Sequence, residues 1–542
     1  GHVGVISENR VEWVLAQMGA GLIGAVTVGV YPTSPTPEVA YVLAHADVEI
    51  VICEDQEQSD KVLAALADLP RLRHVVVCEK KGLRNSLREH RDLVIGFDEL
   101  EARGARHEAA EGVCIDAVLA RQSLADLALM IYTSGSTGKP KGAMLSYANL
   151  RGVVPGIVER LGLDAHTSHL SYLPLCHVAE QMLTTFVPLY LGSTVNFGES
   201  IRTVQEDLRE VAPSMFLGVP RIWEKLHAAI TIKMQEAGAL QRALYRWATQ
   251  ACEPFAEKAP AQRSVRERLV FGVAYLLVFR ALQNFIGLRA TRIALTGAAP
   301  IAPAVVRFFR TLGVPLIEVY GLTESCGMVT GQHLERVHIG SVGEPTLGVE
   351  HRIGEQGELI IRGAMVFMGY YKNPQATAEA IQDGWLHTGD VVTEEADGGL
   401  RMVDRLKDIM ITAGGKNLTP SEIENAMKAS PYIKECIVIA EGRKFVSALI
   451  QLDGETVGKW AESRRLAFTH FRSLVETPAV RALIEAEVAR GNAGLAPVSQ
   501  IKRFHLLTKE LDHDDGEVTA TMKVRRSSIY TAYASEIAAL YT

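Results

Sequence analysis

Residues 132–142 read Tyr132-Thr133-Ser134-Gly135-Ser136-Thr137-Gly138-Lys139-Pro140-Lys141-Gly142, a run of small hydroxyls, glycines and lysines placed directly after the apolar residues 127–131. Glycine lets a backbone approach an anion closely, hydroxyls donate to phosphate oxygens, and lysines offset their charge, so the run suits a polyphosphate. The phosphate loop of motor and signalling NTPases is a poor match, because it needs Gly, four residues, and then Gly-Lys leading through Ser or Thr into a helix. Here Gly135 lies too close to Gly138, and Pro140 follows Lys139, which removes an N–H donor and disfavours helical geometry at the lysine. A plain polar surface loop is the competing reading.

Downstream stand Tyr320-Gly321-Leu322-Thr323-Glu324, Trp385-Leu386-His387-Thr388-Gly389-Asp390, Asp404-Arg405-Leu406-Lys407-Asp408 and Gly414-Gly415-Lys416-Asn417. In this order, and over nearly the whole chain, the motifs resemble those of the adenylate-forming enzymes, which include acyl-CoA synthetases, luciferases and peptide-synthetase adenylation domains. The resemblance implies an acid–thiol ligase. A carboxylate is a poor electrophile, so it first attacks the α-phosphorus of ATP and expels pyrophosphate; a thiol then displaces AMP from the mixed anhydride. Positioning and charge neutralisation carry most of the first step.

By the same resemblance, Thr133, Ser134, Gly135, Ser136, Thr137, Gly138, Lys139 and Lys141 hold the β- and γ-phosphates. Thr133 and Glu324 help place Mg2+, a hard cation that takes oxygen ligands. Tyr320 stacks on adenine in a nucleotide pocket shared with Gly321 and Thr323, while Gly297, Ala298 and Ala299 bring backbone close to the nucleotide and the nascent acyl phosphate. Asp390 clamps the ribose, since one ionised carboxylate offers two acceptors to two adjacent hydroxyls. Arg405 holds the ribose or a phosphate. Lys523, within Glu517-Val518-Thr519-Ala520-Thr521-Met522-Lys523-Val524-Arg525-Arg526, bridges the acyl oxygen and the α-phosphate. That run has Ala520 where the long-chain group usually has Pro, and Met522 where shorter-chain relatives have Gly. Lys407 is the implied hinge about which a small domain turns once pyrophosphate has left, presenting Gly414, Gly415 and Lys416 to the incoming CoA thiol.

Leu173-Pro174-Leu175-Cys176-His177-Val178-Ala179-Glu180 and Val219-Pro220-Arg221-Ile222-Trp223-Glu224-Lys225 are similar to motifs of long-chain fatty acyl-CoA synthetases. They imply a fatty acid as substrate, with ATP and CoA as partners and His177, Gly297 and Gly321 lining the acyl pocket. Transfer to a carrier-protein thiol, or a catalytically silent nucleotide- or lipid-binding scaffold, are the alternatives. A cytoplasmic location, with or without peripheral membrane attachment, fits the long-chain group; the oligomeric state is left open, a homodimer being one option.

Composition sets the frame. Of 542 residues, 48% are hydrophobic and 22% charged, as in soluble globular proteins rather than disordered ones. A formal charge of −7 excludes the globally cationic surface that nucleic acid demands. Cys53, Cys78, Cys114, Cys176, Cys252, Cys326 and Cys436 are scattered without metal-ligand spacing and read as reduced core thiols. The start at Gly1 resembles a point already inside the family's first domain, which implies that a segment precedes it.

The chemistry-bearing residues need a scaffold. Short β-branched runs at 48–53, 74–78, 127–133, 292–296 and 315–320 alternate with helix-length segments such as 10–25 and 302–312, which predicts layered α/β architecture with largely parallel sheets. Residues 340–369 turn Gly-rich and read as a small β-barrel-like subdomain. Residues 1–406 form the expected large domain, and residues 407–542 a small mobile C-terminal α+β domain. Residues 232–268 read as a helical insertion. Residues 269–279, an apolar run closed by Arg280, are too short for a bilayer span of about 20 residues and read as a buried helix, with a membrane-surface or acyl-gate helix as the alternative.

Overall fold

Val-rich runs at the start of the chain pair in parallel, as continuous β-branched sequences do when both faces of a sheet are covered. In the computed structural model, which describes residues 1–112, 115–133, 139–512, 515–519 and 523–542, the first sheet runs in the order Gly369–Tyr370, Lys141–Ser146, Leu127–Thr133, Val26–Val30, His2–Ile6, Val48–Cys53, His74–Val77 and Val94–Gly96. Parallel pairing holds from Leu127–Thr133 to Val94–Gly96, and the pairs at the other edge are antiparallel. A second sheet orders Glu344–Pro345, Gly327–Gly331, Leu316–Leu322, Ile293–Thr296, Met215–Gly218, Ser168–Ser171 and Thr194–Phe197. Its last five strands are parallel. Parallel strands point their carboxyl ends the same way, and ligands of such sheets bind there. His177, Gly297 and Tyr320 all stand at that edge, just past or at the end of their strands.

A third, antiparallel sheet joins Glu350–Ile353, Glu358–Arg362, Trp385–Glu394, Ile381–Gln382 and Leu400–Arg405. Its Asp390↔Arg405 register places those two side chains on neighbouring strands. Beyond it, Ile433–Ile439, Ser447–Leu452 and Arg503–Leu506 form a three-stranded sheet flanked by helices Pro420–Lys428, Gly454–Ser463 and Pro478–Asn492. This unit has its own apolar core, which includes Ile423, Met427, Val438, Ile450, Val457 and Ile484. The layered α/β reading with a smaller C-terminal domain is therefore correct.

Two expectations change. Residues 269–279 are not buried all round: Leu269, Val273, Leu276 and Leu277 are exposed, and only one side of the helix packs inward. The predicted helical insertion breaks into Pro220–Glu236 and Ala239–Cys252, followed by irregular chain with short 3-10 turns before the next helix at Val265–Ala274. The described cysteines are all unpaired thiols, and all but the half-buried Cys78 are buried; Cys114 lies outside the described residues.

Candidate active site

The glycine-rich run is framed by two paired strands. Leu127–Thr133 and Lys141–Ser146 pair antiparallel, with Thr133 opposite Lys141 and Tyr132 opposite Gly142. Strand geometry after Pro140 explains why the strand-to-helix phosphate loop was a poor match. Ser134, Gly135, Ser136, Thr137 and Gly138 lie outside the described residues, but both stalks of the loop are anchored. The Tyr41 hydroxyl donates to the Pro140 carbonyl at 3.1 Å, and Lys139 Nζ lies 4.8 Å from the Tyr41 ring centroid. His45 Nδ1 is 2.7 Å from the Tyr132 hydroxyl. Thr133 Oγ1 makes only a long 3.5 Å contact to the Lys141 carbonyl, which leaves it able to turn toward a ligand.

Across the cleft, the buried Asp390 carboxylate accepts from the Tyr320 hydroxyl at 2.7 Å and pairs with Arg405 Nε at 3.2 Å. Its backbone is fixed by the loop before it: Asp390 N donates to Thr388 Oγ1 at 3.1 Å, Thr388 Oγ1 donates to the Leu359 carbonyl at 2.6 Å, and Gly389 N donates to Glu358 Oε1 at 2.9 Å. Burial pushes the Asp390 carboxyl up, against Arg405, the Tyr320 hydroxyl and Lys523, which favour its charged form. Burial and then Asp390 hold the Tyr320 phenol above its ordinary value, so it stays a donor.

Glu324 accepts from the Tyr370 hydroxyl at 2.6 Å, and Lys141 Nζ lies 5.1 Å from the Tyr370 ring centroid. Tyr370 thus joins the strand that carries Lys141 to the Glu324 turn. Lys523 completes the group. Burial first, then the Arg405 charge, lowers its ammonium to about 8, while Asp390 and Glu324 pull the other way. Its side chain keeps a solvent-accessible face, so that desolvation is partial. His177 feels the same lysine: burial and then Lys523 depress its imidazole to about 4. His177 Nδ1 accepts from Ala179 N at 3.3 Å, which assigns the proton of the neutral ring to Nε2.

Oxygen acceptors, phenol donors and the cations Lys139, Lys141, Arg405 and Lys523 thus come from the three sheets of the large domain and from the C-terminal domain. The set can neutralise a polyphosphate, grip a diol and place an ammonium over an attacked phosphorus. A family description, AMP-binding enzyme, matches residues 1–371, and a second, AMP-binding enzyme C-terminal domain, matches residues 407–542. The chain belongs to the AMP-binding enzyme family.

Relatives of this AMP-binding enzyme include the putative fatty-acid–CoA ligase fadD11 of Mycobacterium tuberculosis, 38% identical over 77% of this chain and 74% of that protein. The long-chain-fatty-acid–CoA ligase FadD15 of Mycobacterium bovis is 32% identical over 100% of this chain and 88% of its own length. Among solved structures, the adenylation domain of the carboxylate reductase from Mycobacterium chelonae superposes with a TM-score of 0.75 at 22% identity, covering 100% of this chain and 80% of that one. The enzyme is an acid–thiol ligase.

The remaining site candidates divide by environment. Ala298 sits at φ 68° and is exposed with Ala299 at the strand edge. Gly297 and Gly321 have a packing reason to be glycine: a Cβ would come to 2.9 Å from the Val319 carbonyl oxygen at Gly297, and to 1.8 Å from the Gly327 carbonyl oxygen at Gly321. Thr323 opens the one-turn 3-10 helix that carries Glu324, its carbonyl accepting from Cys326 N at 3.1 Å. Lys407 is exposed between strands Leu400–Arg405 and Met410–Ile411. Gly414, Gly415 and Lys416 form an exposed turn, and no hydrogen bond or ion pair joins them to the Asp390 group among the described residues. Gly415 has φ 73° with open space around it. Sequence reasoning missed Tyr41, His45 and Tyr370; the aromatic pair Tyr370-Tyr371 after Gly369 was the available signal for the last.

The small domain meets the large one through polar contacts. Arg221 donates to Asp453 at 2.6 Å, Gln235 Nε2 to the Tyr432 hydroxyl at 3.1 Å, and Ser421 donates to Asp404 through N at 3.0 Å and Oγ at 2.9 Å.

Proposed function

We propose that this AMP-binding enzyme joins a long-chain fatty acid to CoA through an acyl adenylate. The contact that carries the reading is Tyr320 with Asp390, because it puts a ring and a carboxylate, the two groups suited to adenine and ribose, in one pocket under Lys523. Asp390, shared with Arg405, takes the ribose hydroxyls. Lys139 and Lys141 neutralise the β- and γ-phosphates. The acid's carboxylate oxygen attacks the α-phosphorus, the bond to pyrophosphate breaks, and the protonated Lys523 stabilises charge on the acyl and phosphoryl oxygens as it moves. The CoA thiol, losing its proton, then attacks the acyl carbonyl and AMP leaves.

Thr133 and Glu324 offer the hard oxygen donors that Mg2+ takes, and a cation held mainly by substrate phosphates needs few protein ligands. Bound there, the ion would offset phosphate charge; Tyr370 orients the Glu324 carboxylate that would face it. Lys523 faces the Asp390 group while Gly414 and Gly415 face solvent, an arrangement suited to the first half-reaction. Rotation about Lys407 would exchange the two for thioester formation.

The fatty-acid and CoA parts of the reading rest on what the relatives are named for. The test is AMP release from a panel of carboxylic acids with and without CoA. Long-chain acids that release AMP only with CoA support the reading. Release that needs a carrier protein selects the alternative ligase, and absence of acid-dependent pyrophosphate exchange refutes adenylation altogether.

A further inference from the structure

The motif 219–225 has no part in the steps proposed above. Its buried Trp223 donates through Nε1 to the carbonyls of Gly218 at 3.0 Å and Leu295 at 3.1 Å, which fixes helix Pro220–Glu236 to the strand that leads into Gly297. Helical spacing turns Arg221, Glu224 and Gln235 onto one stripe of that helix, and the C-terminal unit lies along it. Arg221 donates to Asp453 at 2.6 Å. Asp453 is held in turn, because it caps helix Gly454–Ser463 by accepting from Thr456 N at 3.0 Å. Gln235 Nε2 donates to the hydroxyl of the buried Tyr432 at 3.1 Å.

Between those contacts lies a series of buried charges. Glu224 is buried, with Arg221 Nη1 3.6 Å away. Burial raises its carboxyl, and Lys428 of the C-terminal unit, then Arg221, oppose that rise. Burial lowers the Lys428 ammonium, but Glu435, Glu224 and Glu424 outweigh it and leave it raised. Lys428 Nζ lies 3.4 Å from Glu435. Glu424, buried beside them, accepts from Val438 N at 2.9 Å and pairs with Arg526 at 2.8 Å. Arg526 stands three positions after Lys523, at the start of helix Arg526–Ala532. A buried charge stripped of its partner is costly, so each member of the series constrains the next. The series leads from a helix of the large domain to the stretch that carries Lys523.

We propose that Arg221 and Glu224 are positioning residues for adenylation, docking the C-terminal unit so that Lys523 is presented to the α-phosphate. This role rests on the acyl-adenylate reading of Lys523. Two half-reactions of the full chain test it: acid-dependent pyrophosphate exchange, and thioester formation from supplied acyl-AMP and CoA. In Arg221→Gln and in Asp453→Asn, kcat for exchange should fall about tenfold, while thioester formation holds or rises. KM for ATP should stay within about twofold, because Asp390 and Tyr320, which take the nucleoside, belong to the large domain. Glu224→Gln should give the same pattern at about threefold, and Arg221→Lys, which keeps the pairing, should retain most of the exchange. On a Lys523→Ala background, Arg221→Gln should lower the residual exchange by less than about twofold, since a residue acting through Lys523 has nothing left to act on. A parent without acid-dependent exchange refutes the acyl-adenylate reading itself. A parent that exchanges overturns only the docking role if the variants lose both half-reactions alike, if they retain both, or if Arg221→Gln keeps its full effect on Lys523→Ala.

Discussion

Removing the Asp390 carboxylate has two separable consequences. In Asp390→Ala the ribose loses charge-assisted acceptors, each contributing about 1.5–3 kcal/mol, so kcat/KM for ATP should fall about 10- to 100-fold. The Tyr320 hydroxyl, buried and donating at 2.7 Å, is left without its acceptor, which costs about 1–3 kcal/mol of stability. Arg405 adds little to that cost, because its side chain is 58% exposed and regains water. The double variant Asp390→Ala, Tyr320→Phe removes the orphaned hydroxyl as well. It should recover most of the lost stability and none of the lost kcat/KM. Acid-dependent pyrophosphate exchange against ATP concentration gives the kinetic part, and urea unfolding the other. If Asp390→Ala keeps kcat/KM for ATP within about twofold of the parent, the ribose assignment is wrong. Failure of the second change to restore stability would show that the 2.7 Å contact does not hold the pocket together.

If Lys523 acts as a cation, as proposed, adenylation should decline as pH rises through about 8, where the ammonium is lost; Lys523→Arg should move that decline upward, and Lys523→Ala should lose pyrophosphate exchange yet still convert supplied acyl-AMP to thioester. His177, held near 4, should contribute no inflection between pH 6 and 8, so an inflection there that vanishes in His177→Gln would contradict its neutral assignment. Burial raises the Glu318 carboxyl to about 7, although Gly340 N donates to it and Arg401 favours its charge. Its folded value lies above the unfolded one, so stability is full at low pH and is lost as pH rises from about 4.5 to about 7; Glu318→Gln should flatten that slope and raise stability at pH 8 by up to about 3 kcal/mol, measured by urea unfolding. Gly321→Ala drives a Cβ into backbone and should cost several kcal/mol, about 3 or more, whereas Gly415→Ala meets open space and should cost only about 1–2 kcal/mol for its left-handed φ, both read by thermal melting.

Runs with a local period were legible: 48–53 and 127–133 coincide with observed strands because β-branched residues buried on both faces need no distant partner to declare themselves. The motif residues carried their chemistry in their own side chains and spacing, and a carboxylate, an ammonium and a phenol were findable as types. What joins them was not. Tyr370 reaches Glu324 over 46 positions, Tyr41 reaches Pro140 over 99, and His45 reaches Tyr132 over 87, so no local pattern records these bonds. Glycines mislead for a related reason: at Gly297 and Gly321 the absent Cβ makes room for neighbouring backbone, which spacing cannot distinguish from room for a ligand. The run 269–279 was read as buried because hydropathy counts residues and ignores what covers them; the helix packs through one side only.

The seam at Arg221, Gln235, Tyr432 and Asp453 is polar, with Tyr432 buried and Asp453 mostly so. The C-terminal unit has an apolar core of its own, and Ala429 of that unit packs against the core of the large domain. Were the unit to turn about Lys407 as proposed, those bonds would have to part together, and the departure of pyrophosphate or the arrival of a thiol would have to supply the bias between the two orientations.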